Sequence, residues 1–170
     1  AYGHGLVQAA KTLTQADLFG VTDVHEAVTL EQASIDKPIL VLQGMMHLDD
    51  LQLVAEHNFQ LVIHSAEQLA LIDEVFSHLT LKQPLTLWLK MDSGMGRLGL
   101  SPLGFATTYK ALLGRPYTGK VVMMTHLANS SHFDSSLNLK QLNAFRATET
   151  ELTGDLQATS IASSSGILSD

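Results

Sequence analysis

Hydrophobic and polar positions follow two rhythms along the chain. Short leucine- or valine-rich runs are each followed by a longer stretch whose apolar residues recur every three to four positions. Leu6, Ala9, Ala10 and Leu13 predict an opening helix, and residues 18–21 a strand. Asp23 and Glu26 have capping-box spacing before the next helix. Residues 39–42 predict a strand and Leu48, Leu51, Val54 and Ala55 a helix. Residues 61–63 follow as a strand, and Ser65 with Gln68 repeats the capping-box spacing before Leu69, Ile72, Phe76 and Leu79. In the second half, strands are predicted over 86–90, 121–125 and 158–162. Between them, Ser101-Pro102 sets an N-cap and first-turn proline before a helix, and another helix runs from about Asn138 to Glu151.

Six strand–helix units in succession imply an α/β protein with a parallel sheet. An open doubly wound sheet and a closed barrel share this alternation. No Gly-x-Gly-x-x-Gly follows the first strand, which weakens the dinucleotide-binding reading. The favoured architecture is therefore a partial (β/α)8 TIM barrel that lacks its first strand and its last strand or strands. The abrupt opening at Ala1-Tyr2-Gly3-His4-Gly5 and the close on a strand-to-helix turn read as cuts through a longer fold.

Composition narrows the partners. The 170 residues are 45% hydrophobic and 16% charged, as in a soluble domain, and carry a net charge of −7. An acidic surface disfavours nucleic acid and anionic membranes. No apolar run approaches the roughly 20 residues needed to span a bilayer, and no signal peptide opens the chain. A cytoplasmic location is the expectation. Cysteine is absent, so neither a disulfide frame nor a thiolate metal site is available. The histidines show no metal-binding spacing, so no metal is expected. His25, His47, His57, His64, His78 and His132 are mostly expected on the solvated surface.

Barrel enzymes draw their chemistry from the C-terminal ends of strands and the loops after them. The richest such end is Lys90-Met91-Asp92-Ser93-Gly94-Met95-Gly96-Arg97-Leu98-Gly99. By the period of two, Leu85, Leu87 and Leu89 face one side, and Thr86, Trp88 and Lys90 the other. Lys90 then points into the barrel near its mouth, where an isolated ammonium is too costly unless it is deprotonated, modified or paired. The glycine-rich turn brings Arg97 back toward the same mouth. His126 ends the next strand, where it could stack on a flat ring, act as a base or simply cap the strand. Ser163-Ser164-Ser165-Gly166 follows the last strand and reads equally as a phosphate cradle or a plain serine N-cap.

Together these segments resemble bacterial alanine racemase over essentially the whole chain. The first five residues are similar to the end of that family's Lys-Ala-Asn-Ala-Tyr-Gly-His-Gly motif. Residues 90–99 are similar to its Lys-x-Asp-Thr-Gly-Met-x-Arg-Leu-Gly motif, the most specific signal. Thr125-His126-Leu127-Ala128 and Ser160-Ile161-Ala162-Ser163-Ser164 match two further family segments in order and spacing. The resemblance implies a homodimeric, pyridoxal-5'-phosphate-dependent isomerase of fold type III. Such an enzyme interconverts L- and D-alanine, a peptidoglycan precursor, through an imine and Cα proton transfer. It implies that Tyr2 and Ser164 bind the cofactor phosphate and that His126 stacks on the pyridine ring. Arg97 would contact the phenolic oxygen and the substrate carboxylate, and Lys90 would be an N-carboxylated lysine that orients Arg97.

The same resemblance places the cofactor-binding lysine just upstream of Ala1, and a second catalytic tyrosine in a C-terminal β domain outside these residues. Residues 1–170 are accordingly expected to form a single truncated cofactor-binding barrel domain that is inactive alone. Two other readings are a Schiff-base aldolase using Lys90 and a non-catalytic pyridoxal-phosphate carrier of the same barrel type.

Overall fold

The computed structural model describes residues 3–45, 47–79, 81–132, 134–152 and 156–168. Its elements alternate as expected: α1 (Leu6–Thr12), β1 (Phe19–Val21), α2 (Val24–Gln32), β2 (Ile39–Val41), α3 (Leu48–His57), β3 (Gln60–Ile63) and α4 (Ala66–Phe76) come first. They are followed by β4 (Leu85–Lys90), α5 (Pro102–Leu113), β5 (Thr118–Met124), α6 (Ser136–Glu151), β6 (Ala158–Ser160) and α7 (Ser164–Ile167).

All six strands are parallel, and their spatial order is their chain order. That order separates the two architectures left open by the sequence. A doubly wound sheet reverses its direction of growth at a switch point. Here each strand is laid beside the one before it, and from α1 to α6 each helix packs on the next. The result is a half-barrel with its helices outside.

The two faces of the sheet carry different side chains. Leu85, Leu87 and Leu89 of β4 lie in the main core with Leu61 and Ile63 of β3 and Val121 and Met123 of β5. The helices meet this face through buried stripes at helical spacing: Ile72 and Phe76 of α4, Phe105, Tyr109 and Leu112 of α5, and Phe145 of α6. Side chains the size of Phe105 and Phe145, fully buried, each contribute about 1.5–3 kcal/mol by leaving water. The opposite face is the lumen of the half-barrel. There Val62 pairs in register with Trp88, Trp88 with Val122, and Lys90 with Met124. On this face, between the neighbouring strands β3 and β4, the Trp88 indole N–H donates to Gln60 Oε1 at 2.6 Å.

Helix starts follow the caps read from sequence, with one refinement. Asp23 accepts from the amides of His25 and Glu26, and Ser65 from that of Gln68. In both helices the reciprocal side chain reaches one residue further back than a capping box requires. Glu26 accepts from Thr22 N at 2.8 Å, and Gln68 Oε1 from His64 N at 2.9 Å. Ser101 Oγ accepts from Gly104 N behind the first-turn proline of α5.

Several boundaries move, β6 ending at Ser160 and α6 starting at Ser136, and the largest shifts are at β5 and α4. β5 begins at Thr118 rather than Val121, because Thr118 and Lys120 pair with Leu85 and Thr86 despite their polarity. α4 stops at Phe76, so Leu79 lies beyond the helix and is exposed instead of extending its stripe.

Candidate active site at the C-terminal rim

β4 ends in Lys90, and the chain then folds back on itself. Asp92 N donates to Leu100 O and Leu100 N to Lys90 O, each at 2.9 Å, closing a loop over residues 92–99. Asp92 organises its interior: Oδ1 accepts from the amides of Gly94, Met95 and Gly96 at 2.9–3.0 Å, and Oδ2 also accepts from Gly96. Gly99 closes the loop at φ +134°. A Cβ there would lie 2.4 Å from Asp92 N and 2.7 Å from Met91 C. The glycine is therefore required both by its backbone angle and by the close approach of the two chain segments.

Electrostatics tie three of the candidate residues together. Burial pushes the Lys90 amine below its ordinary pKa, and the Arg97 guanidinium pushes it further, against a smaller pull from Asp92. The His126 imidazole is likewise lowered, first by burial and then by Arg97 and Lys90. Burial is the largest single influence on Asp92 and raises its pKa. The Gly96, Gly94 and Met95 amides, together with Lys90, outweigh it and leave the carboxyl below its usual range. Arg97 is exposed, whereas Lys90 and His126 are half-buried. Three mutually repelling basic groups thus converge at one mouth of a chain whose net charge is −7. An anion would complete such a site.

Hydrogen bonds hold the loops of β4 and β5 in register. Ser93 and Thr125 hydroxyls are 2.8 Å apart, and Thr125 Oγ1 donates to Met91 O at 2.9 Å. Gln141 of α6 donates from Nε2 to Ser93 Oγ and to His126 O, both at 3.1 Å, and accepts from Ala128 N at 2.9 Å. Further along the rim, Thr125 N donates to Ser160 O, and the Ser130 and Ser163 hydroxyls meet at 2.6 Å. Ser163 is the N-cap of α7 but caps it with no side-chain hydrogen bond, its hydroxyl being engaged by Ser130. Ser164 opens α7 and is exposed on the rim beyond β6, two strands from Lys90. Lys90, Arg97 and His126 are thus brought together, while Ser164 shares their rim at a distance. Tyr2 lies outside the described residues.

A second glutamine plays a matching part at β2 and β3. Gln68 Nε2 reaches Gln43 O and Met45 O at 3.4 Å and His64 Nε2 at 3.0 Å, and His64 Nε2 also lies 3.0 Å from Gln43 O. Gly44 threads between, at φ +73°, where a Cβ would fall 2.3 Å from Gln68 Nε2 and 2.7 Å from Val62 O. His64 is therefore a loop-fastening residue rather than a solvated one. His57 also has partners, an ion-pair contact with Glu31 and a stacked Phe59 ring. His25, His47, His78 and His132 are exposed as expected. Gln68 was read from the sequence only as the capping-box partner of Ser65, and Gln141 only as part of the opening of its helix. The available signal was a polar residue on an apolar stripe: Gln68 precedes Ile72 and Phe76, and Gln141 precedes Phe145, at multiples of four.

The family model described as "Alanine racemase, N-terminal domain" matches residues 1–170. The chain is 42% identical over 170 residues to the alanine racemase of Xanthomonas axonopodis pv. citri (strain 306), covering 99% of this chain and 44% of that protein. It is 37% identical over 169 residues to an alanine racemase of Pseudomonas taetrolens, covering 99% and 45%. The chain therefore spans less than half the length of these relatives. Among solved structures, the biosynthetic alanine racemase of Pseudomonas aeruginosa superposes with a TM-score of 0.87 at 31% identity, over 98% of this chain and 45% of that one. A histidine racemase of Leuconostoc mesenteroides subsp. sake NBRC 102480 shares the fold alone, with a TM-score of 0.86 at 24% identity over 98% of this chain and 45% of that one.

Proposed function

The chain belongs to the alanine racemase N-terminal-domain family, and from that membership we propose that it forms the cofactor-holding half-barrel of an enzyme that interconverts L- and D-alanine. The observation that carries the reading is the convergence of Lys90, Arg97 and His126 on one rim, with the pKa values of Lys90 and His126 both lowered.

These residues fit pyridoxal 5'-phosphate by the chemistry of their donors. The cofactor and an amino-acid substrate bring a phosphate, a phenolic oxygen and a carboxylate, and the mouth offers three basic groups whose charge Asp92 offsets only in part. When bound, the cofactor supplies an electron sink that acidifies the substrate Cα–H. Arg97 would bind the phenolic oxygen and hold the substrate carboxylate through its planar fork. His126, kept neutral by burial and by its two cationic neighbours, would lie flat against the pyridine ring. Tyr2 and Ser164 would hold the phosphate. The lowered pKa of Lys90 increases its share of free amine, the form that reacts with carbon dioxide. Attack of that amine on carbon dioxide, with one N–H proton released to solvent, would give a carbamate that turns a repulsive neighbour of Arg97 into an anionic partner and fixes the guanidinium for substrate. Neither of the two bases expected from the family lies in residues 1–170, so these residues alone would not racemise alanine.

The test uses the full-length protein that carries this chain, assayed for D- to L-alanine conversion with added pyridoxal 5'-phosphate. Cofactor-dependent turnover, lost in Arg97→Ala and absent from residues 1–170 alone, supports the proposal. The lowered Lys90 pKa also suits an aldolase lysine. Borohydride trapping of a carbonyl substrate on Lys90, without alanine turnover, would replace the racemase reading. Tight cofactor binding without turnover of the full-length protein would instead favour the carrier.

A further inference from the structure

We propose that Gln141 is a positioning residue that fixes His126 and the Lys90–Arg97 turn relative to one another. This rests on the racemase reading only for its functional consequence; the positioning itself can be tested without cofactor.

Gln141 is fully buried, and its amide has a partner for every proton. Because Ala128 N–H donates to it, the atom facing Ala128 must be the oxygen, which turns the NH2 toward Ser93 and His126. The hydroxyls then have a fixed direction. Thr125 spends its single proton on Met91 O, so Ser93 must be the donor in the Ser93–Thr125 pair, and its oxygen is left to accept from Gln141. One directed chain thus runs from Gln141 through Ser93 and Thr125 to the carbonyl beside Lys90.

The second amide proton holds the carbonyl of His126, and the oxygen holds the loop two residues later. A Cβ at Gly94 would meet Gln141 Cγ at 3.4 Å, so the turn passes close to the glutamine's stem. Ser93 and Thr125 are themselves buried, which shields the chain from competing water. No other described side chain hydrogen-bonds both the turn after β4 and the segment after β5 from a separate helix. Without it, the two loops keep the direct Ser93–Thr125 contact but lose the ties that bind His126 and Ala128 to the turn carrying Arg97.

Gln141→Met keeps the volume and removes every hydrogen bond; Ser93→Ala breaks the directed chain with a smaller perturbation and serves if the first variant does not fold. Phe105→Leu is the control for lost stability alone. The primary readout is the His126 imidazole titration, followed by NMR in the cofactor-free full-length protein. It should move up toward the ordinary histidine value in Gln141→Met and Ser93→Ala, by about half a unit or more, and stay in place in Phe105→Leu. Pyridoxal 5'-phosphate affinity should fall at least tenfold in Gln141→Met, with a changed absorbance maximum for what remains bound. An unmoved His126 titration in variants that fold overturns the proposal. If the wild-type protein takes up no pyridoxal 5'-phosphate, the racemase reading fails and the titration alone judges Gln141.

Discussion

Asp92 accepts the Gly96 amide on both of its carboxylate oxygens, each at 3.0 Å, and so carries the turn that delivers Arg97. Asp92→Ala removes the acceptor for all three amides of the turn. By analogy with lost helix N-caps, the cost should be about 1–2 kcal/mol, seen as a lower urea midpoint. Because the folded carboxyl titrates below its ordinary value, its contribution is present above the unfolded pKa of about 3.9 and lost as pH falls through the folded one. The stability gap between wild type and Asp92→Ala should therefore be constant from pH 7 to 5 and narrow below pH 4. A gap that widens on acidification would show that the carboxylate is not what holds the turn.

Lys90→Met should separate stability from function. The folded amine titrates below the unfolded value of about 10.4 because burial and Arg97 disfavour its charge. The unfolded chain therefore binds more protons, and the charged lysine penalises the fold at neutral pH, a penalty that fades as pH approaches 10. In buffer free of bicarbonate, Lys90→Met should raise stability at pH 7 by about 0.5 kcal/mol, after allowing for the solvent reaching this half-exposed group. The same variant in the full-length protein should lose at least tenfold in alanine turnover. A melting temperature lowered at pH 7 would contradict the assigned repulsion.

How much of this was legible in the sequence depends on the range over which each interaction acts. The alternation of Leu85, Leu87 and Leu89 with Thr86, Trp88 and Lys90 is a property of a single strand, and it placed Lys90 on the lumen face correctly. The caps of α2, α4 and α5 depend on residues three apart and were equally visible. Closure was not decided by period, since Ile39–Val41 and Gln60–Ile63 would read alike in an open sheet and in a barrel; only their neighbour order distinguishes the two. The fastenings of the rim were the least visible. Ser93 and Gln141 are 48 positions apart, and no local pattern links a serine in a glycine-rich turn to a glutamine on a later helix.

His126→Phe should flatten part of the acid dependence of stability. Burial, Arg97 and Lys90 lower the folded pKa beneath the unfolded value of about 6.5. Protonation therefore favours the unfolded chain, and stability contributed by the neutral ring is lost as pH falls through 6.5 toward the folded value. Phenylalanine keeps a flat ring but cannot titrate. Urea midpoints at pH 7.5 and 5.5 should differ more for wild type than for the variant. Equal differences would mean that His126 does not feel its two basic neighbours.

Gly99→Ala is the substitution the rim should tolerate least. At φ +134° the backbone lies where L side chains are strained by about 1–3 kcal/mol. The new Cβ would also fall 2.4 Å from Asp92 N and 2.7 Å from Met91 C, both backbone atoms that no rotamer change can move aside. Relief requires the two strands of the loop to separate, which breaks the Asp92–Leu100 and Leu100–Lys90 hydrogen bonds. The expected loss is about 3 kcal/mol or more. Hydrogen exchange should localise the damage, with the Asp92 and Leu100 amides losing protection far more than Leu61 or Ile63 in the neighbouring strand. Because Arg97 is carried between those two hydrogen bonds, alanine turnover by the full-length protein should fall even where the folded population is restored by lowering the temperature. Turnover per folded molecule equal to wild type would show that Arg97 finds its place without the closed loop.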